Sequence, residues 1–285
     1  MSDSSNNMEN DAKKKEDGRY AKTIETLFKS KYKTGMKRVP FQRKDFLDVA
    51  KELGFENIKN LGDIVYAFRY RRAMPKFISE TAPSGYGWAL LGTGDATYEF
   101  RLVAPPRLAA SKHKTEIKIP DATPEIFKQY TAGMDEQALL TKVRYNRIID
   151  IFTGLTCYSL QNHYRTKVES IGQIEIDEIY VGISKNGAHY IMPCQAKSPN
   201  EQFGFAQVYQ DLALCSQKYP HAICKPIGLQ FKNENVVAVI QIKIEEEPDE
   251  TFQMTISEEK HYRLVSANHI QNTDLTGYLV DENAI

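Results

Sequence analysis

The sequence predicts an α/β chain: a mixed β-sheet flanked by helices, preceded by a helix-turn-helix module that carries a β-hairpin. Three observations point there. Helical periodicity occurs twice before residue 73, and a glycine-punctuated hairpin signal follows it. From residue 135 the pattern runs helix, three strands, helix, strand, strand, which combines a hairpin meander with a helical crossover. At 285 residues, with 41% hydrophobic and 26% charged residues, the chain has the length and composition of one large or two modest globular domains.

Residues 1–18 read as a polar tail. They lack the apolar stretch of a secretory signal, and no apolar run reaches the roughly 20 residues a membrane span needs, so the expected location is the cytoplasm. In FQRKDFLDVAKELGF, residues Phe46, Val49, Ala50 and Leu53 share one helical stripe, with Gly54 as a stop. NLGDIVYAFRYRR repeats the pattern with Leu61, Ile64, Val65 and Phe68 behind Asn60 as a cap. GYGWALLGTGDATYEFRLV then reads as a hairpin around Gly92-Thr-Gly-Asp95, glycines supplying positive φ. Helix, turn, helix, hairpin is the layout of a winged helix over residues 19–103, whose second helix commonly enters the major groove.

The net charge is zero, yet twelve Lys/Arg face three Asp/Glu between Lys13 and Lys44. Lys59, Arg69, Arg71 and Arg72 surround the second helix and are the expected contacts to double-stranded DNA. Tyr66, Tyr70, Tyr86 and Trp88 lie near them and could stack on bases, although core packing is the default for such rings. Residues 104–134, with Pro105, Pro106, Pro120 and Pro124, read as a linker.

The second module spans 135–285. A helix runs from near Asp135 to Gly154, and the strands YSLQNHYRTKV, QIEIDEIYVGI and AHYIMPCQAK follow, the last two joined by a turn at Lys185-Asn186-Gly187. A helix fits FGFAQVYQDLALCSQKY on the spacing of Phe205, Val208, Leu212 and Cys215, and strands fit AICKPIGLQF and VVAVIQIKI. Cys157, Cys194, Cys215 and Cys224 have no zinc-cage spacing and read as small buried hydrophobes. His163, His189 and His221 read as structural or exposed. Gly92-Thr-Gly94 lacks the Lys-Ser/Thr of a phosphate-binding loop, so no ATP-driven motor is encoded.

Chemistry concentrates in the hairpin from Gly172 to Lys197. Glu175 and Asp177 are two apart on one strand, and Gln195 and Lys197 are two apart on the next, so each pair shares a face. If the strands pair through the Asn186-Gly187 turn, the two faces converge. Asp177 offers a hard oxygen to Mg²⁺ and Gln195 a neutral one. Lys197 can orient a water and offset charge on a phosphate. The plain alternative is a hairpin whose polar ends reach solvent.

Asp177, a hairpin, and Gln195-Ala-Lys197 after an apolar strand resemble the PD-(D/E)XK, restriction-endonuclease-like superfamily, in the variant with Gln at the acidic position, as in Mrr-type enzymes. Ile176 stands where the family has proline. The resemblance covers about the C-terminal half. It implies a Mg²⁺-dependent DNA endonuclease, with Mn²⁺ able to substitute, in which Asp177, Gln195 and Lys197 are catalytic and Asp177 and Gln195 bind the metal. Glu175 would be either an extra ligand or a surface residue, and Gln207 or Gln210 would be the glutamine of the following helix. No acidic residue of the preceding helix is assigned; Glu136 lies early in it and Asp150 late. A restriction setting implies a homodimer and an associated DNA methyltransferase. The rival expectations are an inactive DNA-binding regulator, a structure-specific repair nuclease and an RNA-processing enzyme.

Overall fold

The computed structural model describes residues 18–55, 61–128, 135–169 and 171–283. Its N-terminal part begins with a helix the sequence reading passed over, α1 (residues 18–31), in which Ile24, Leu27 and Phe28 are fully buried. Next come β1 (Arg38–Gln42), α2 (Arg43–Glu52), and α3 (Leu61–Tyr66), which widens into a π turn over Ala67–Arg71. α4 (Lys76–Glu80) precedes the hairpin of β2 (Gly87–Gly94) and β3 (Thr97–Ala104). Phe46, Val49 and Ala50 are buried as their spacing predicts, and they join Ile64, Phe68 and Phe100 in one apolar cluster or its edge. β1 pairs antiparallel with β3, setting Val39 opposite Phe100. The hairpin turn falls one step later than expected. Gly92 and Gly94 lie in β2, and the positive φ belongs to Ala96, at 53°. Lys59 and Asn60 fall outside the described residues.

The stretch 104–134 is not a free linker. It contains β4 (Arg107–Leu108), β5 (Glu116–Pro120) and α5 (Glu125–Lys128). β4 pairs with β9 (Phe203–Gly204), and β5 runs parallel to β13 (Phe252–Val265). Pro120 ends β5, which lies at an edge and pairs with β13 alone among the described strands, where a missing N–H is tolerated, so the prolines that suggested a linker do not forbid a strand. β13 also pairs with β3, Phe252 opposite Val103, so the N-terminal hairpin belongs to the same sheet as the C-terminal strands.

The expected single helix after Asp135 is two: α6 (Glu136–Tyr145) and α7 (Ile148–Thr153). Arg147 between them has a left-handed φ of 49°, which breaks the run. β6 (Thr156–Val168), β7 (Gly172–Ile183), β8 (His189–Lys197) and α8 (Phe205–Lys218) then appear in the predicted order. β10 (Ile223–Cys224), β11 (Ile227–Asn233), β12 (Val236–Glu246), β13 and α9 (Asn272–Asn283) complete the chain. Among the described residues eleven strands form one mixed sheet, ordered β1-β3-β13-β12-β11-β8-β7-β6, with β2 on β3, β5 on β13 and β10 on β8.

β8, β11 and β12 read as nearly continuous apolar runs because helices cover both faces of the sheet there. Leu139, Leu140 and Ile148 of α6 and α7 pack on one side against Met192 and Leu229. Val208 and Leu214 of α8 pack on the other, Leu214 against Ile174 and Ile191. Each such fully buried side chain contributes about 1.5–3 kcal/mol. Pro193 sits inside β8 where the parallel neighbour changes from β10, which ends opposite Ile191, to β11, which begins opposite Cys194. The missing N–H therefore falls at a break in that ladder. Gly187, with φ 79°, makes the β7–β8 turn as predicted. A Cβ on Gly228 would come within 2.8 Å of the Phe203 ring, so glycine lets the loop after β8 lie against the sheet.

Cys157, Cys194 and Cys215 are buried and Cys224 is half-buried, all as free thiols, in line with the sequence reading. Among the described residues no helix is long and apolar enough to cross a membrane.

Candidate active site

The β7–β8 pairing brings the predicted residues together. Glu178 lies opposite Cys194, so the next positions outward on the two strands are Asp177 and Gln195. The Asp177 carboxylate accepts the backbone N–H of Ala196 at 2.7 Å, which locks it against the end of β8. The side chain of Gln195 is buried, and its amide nitrogen donates to both oxygens of Asp211 on α8, at 3.2 and 3.1 Å. An amide with its nitrogen committed to α8 presents its oxygen the other way. Lys197 is only 8% exposed, and its Nζ lies 3.4 Å from Glu136 at the start of α6. Glu136, Asp177, Gln195 and Lys197 line one cavity of about 520 Å³.

Burial pushes the Asp177 carboxyl up to about 6; the Ala196 N–H opposes this, Glu136 adds to it, and Lys197 opposes it. Asp211 is pushed well above the carboxylate range by its burial, against the pull of the Gln195 amide. Of the carboxylates that line the pocket, Asp177 and Glu136 both act on the Lys197 ammonium group, Glu136 as its ion-pair partner. Among the described residues no group of three or more His, Cys, Asp or Glu side chains forms a metal cage. The donor set is of another kind: two carboxylates and a neutral amide oxygen, all hard ligands of the sort Mg²⁺ takes. These residues fit a divalent ion.

The other predicted residues divide. Glu175 lines the same cavity on the strand's exposed face, 3.1 Å from Arg165 and 3.6 Å from His163. Gln207 lines it too, while its Oε1 accepts the Gly204 N–H at 3.4 Å, capping α8. Gln210 is a bridge: it accepts the Tyr70 hydroxyl at 2.5 Å and donates to the Glu175 carbonyl at 3.3 Å. Tyr70 therefore has a packing and bonding task, and Trp88 is buried in the N-terminal cluster. His163 is half-exposed and lines the cavity beside Gln137, its Nε2 2.8 Å from that amide. Arg71 lies over the Tyr66 ring and reaches the cavity from the end of the π turn. Arg72 packs over Tyr20. Arg69 lines a neighbouring cavity with Arg71 and Arg72. It donates to the Ile171 carbonyl at 3.2 Å, and its Nε and Nη2 are buried without a partner.

Two residues went unassigned from sequence. Glu136 depends on where α6 crosses β8, which a residue 61 positions away cannot reveal. Asp211 carried a usable signal. With Gln210 it forms a polar pair on the buried side of an amphipathic helix, whereas Leu212, expected on that stripe, is only half-buried and Leu214 takes its place. Buried polar side chains need partners, and the partner of Asp211 is the candidate ligand Gln195.

No protein-family model, no curated protein and no solved structure matches this chain.

Proposed function

We propose that the chain is a divalent-metal-dependent DNA endonuclease of the PD-(D/E)XK kind. The observation that carries the reading is the shared cavity of Asp177, Gln195, Lys197 and Glu136 at the end of β8. The helix–three-strand–helix–strand order of α6 to β11, with β8 and β11 parallel, agrees with that superfamily's core.

Asp177, Gln195 and Glu136 would hold Mg²⁺, which when bound supplies positive charge against the phosphate and acidifies water. Asp211 keeps the Gln195 oxygen turned to the site. Lys197, held at low exposure by Glu136, places an ammonium group where an attacking water is oriented and where negative charge grows on phosphorus. Asp177 is held rigidly by the Ala196 N–H, so the carboxylate needs no reorganisation.

The order α1, β1, α2, α3, β2, β3, with the short α4 inserted before β2 and β1 paired to β3, supports reading the N-terminal part as a winged helix. α3 and its π turn run toward the cavity rather than away from it, since Arg71 lines the same space as Asp177. Duplex DNA read by that helix would meet the cutting residues directly. Cutting two strands suits a homodimer, and a restriction role calls for an accompanying DNA methyltransferase that protects the host's own sites.

The test is incubation with supercoiled duplex, branched DNA and RNA, in Mg²⁺ and in EDTA. Metal-dependent cutting of intact duplex supports a restriction enzyme. Preference for branched DNA points to repair, and cutting of RNA alone to processing. Salt-sensitive DNA binding without cutting of any substrate would remove the enzymatic reading.

A further inference from the structure

A larger cavity, about 860 Å³, opens beside the β11–β12 hairpin. Lys112, Lys114, Lys232 and Lys260 line it, with His113 and His261. Among the described residues in its wall Glu116 is the one acid, and it is ion-paired with Arg263. Glu259 beneath is occupied as well, accepting Ser111 N–H and Oγ–H at 2.7 and 2.8 Å and meeting His261 at 2.8 Å. Lys112, Lys114 and Lys260 have no ion pair among the described residues, and Lys232 reaches the Ala110 carbonyl at 3.4 Å. Four ammonium groups around one hollow, with nearby acids already spent, make a positive field that a polyanion would neutralise.

Its location says which polyanion. The loop bearing Lys112 and Lys114 is pinned by the Ala110 N–H to Gln230 at 3.0 Å. Gln230 is the register partner of Lys197, and its amide also donates to the carbonyls of Ser198 and Glu201, at 3.1 and 2.7 Å, in the loop after Lys197. One glutamine thus ties the basic loop to the catalytic end of β8. Lys232 lies two residues beyond Gln230 on β11, roughly 7 Å further, about two base-pair rises of a duplex. We infer that this cavity grips the phosphodiester backbone of the duplex flanking the cleavage pocket, through Lys112, Lys114, Lys232 and Lys260. The inference rests on reading the Lys197 pocket as acting on DNA. Ammonium groups contact phosphate as point charges, so this grip adds affinity without sequence preference.

The experiment measures binding of a duplex of about 30 base pairs in EDTA across a salt series, so that no cutting intervenes. Wild type is compared with Lys112→Glu/Lys114→Glu and with Lys260→Gln. All the altered lysines are exposed, and matching melting curves confirm folding. The double variant should lose about tenfold or more in affinity, and its slope of log affinity against log salt should fall by about two; Lys260→Gln should lower it by about one. Unchanged slopes in the lysine variants overturn the inference even if the protein cuts DNA, and so does a wild type that binds no duplex. Reduced slopes in a protein that never cuts uphold the grip and remove the nuclease reading instead.

Discussion

The amide nitrogen of Gln195 donates to both carboxylate oxygens of Asp211, at 3.2 and 3.1 Å, with both residues buried. This bond decides which end of the glutamine faces the pocket. Asp211→Ala frees the amide to turn and offer NH₂ where an oxygen is needed. Divalent-ion affinity should then fall by about tenfold or more, the usual effect of losing an outer partner of a ligand. Asp211→Asn, which retains an acceptor, should recover most of it. Mn²⁺-dependent shifts of the melting temperature report the affinity, and duplex binding in EDTA should be unaffected. Wild-type Mn²⁺ affinity in Asp211→Ala would contradict the positioning role.

Asp177 sets a pH dependence whose sign is fixed by its environment. Its carboxyl is raised to about 6 in the folded chain, from 3.8. The folded state therefore holds the proton more tightly than the unfolded one. Below pH 3.8 both states are protonated and nothing is lost; the cost grows through the interval and is complete above about 6. It amounts to up to about 3 kcal/mol. Asp177→Asn should therefore stabilise the metal-free protein at pH 8 and leave it nearly unchanged at pH 4, as read by urea denaturation. An asparagine variant no more stable than wild type at pH 8 would show that the buried charge costs nothing.

Lys197 and Glu136 form an ion pair at 3.4 Å, the lysine nearly buried. Lys197→Met preserves the volume of the stem and removes the ammonium. Cleavage should drop by about 10²–10³, the effect of losing one group that stabilises developing charge. Mn²⁺ binding should persist. Glu136→Gln should instead weaken Mn²⁺ binding, which separates the two roles by calorimetry.

Tyr70 ties α3 and its π turn to α8 through the Gln210 amide oxygen, at 2.5 Å. Tyr70→Phe leaves that acceptor short of a partner in a buried place. The expected loss is about 1 kcal/mol in chemical denaturation. If the tie also sets how the N-terminal module meets the cavity, DNA affinity should fall while Mn²⁺ affinity does not.

The hairpin that builds the pocket was legible because short-range rules fix it. Two apolar runs around Asn186-Gly187 dictate pairing, and pairing places Asp177 beside Gln195. α8 and β11 followed from the same period-counting. Features set by packing at long range were hidden. Glu136 reaches Lys197 only through the crossing of α6 over the sheet. β13 is broken by charged residues, SEEKHYR, and its burial depends on neighbours at β12, β3 and β5. α1 carried a signal in Ile24, Leu27 and Phe28 that its lysines obscured. The prolines of 104–124 suggested looseness, yet they lie at strand ends and turns, where a missing donor is tolerated.

The most direct test of the central claim is relaxation and linearisation of supercoiled plasmid by wild type in Mg²⁺, beside Asp177→Asn and Lys197→Met proteins shown to be folded by their melting curves. The structure predicts cutting by wild type that EDTA abolishes and that both variants lack. Equal cutting by all three proteins, or none by wild type on unmodified DNA from varied sources, would contradict a phosphodiester-cleaving site at the end of β8.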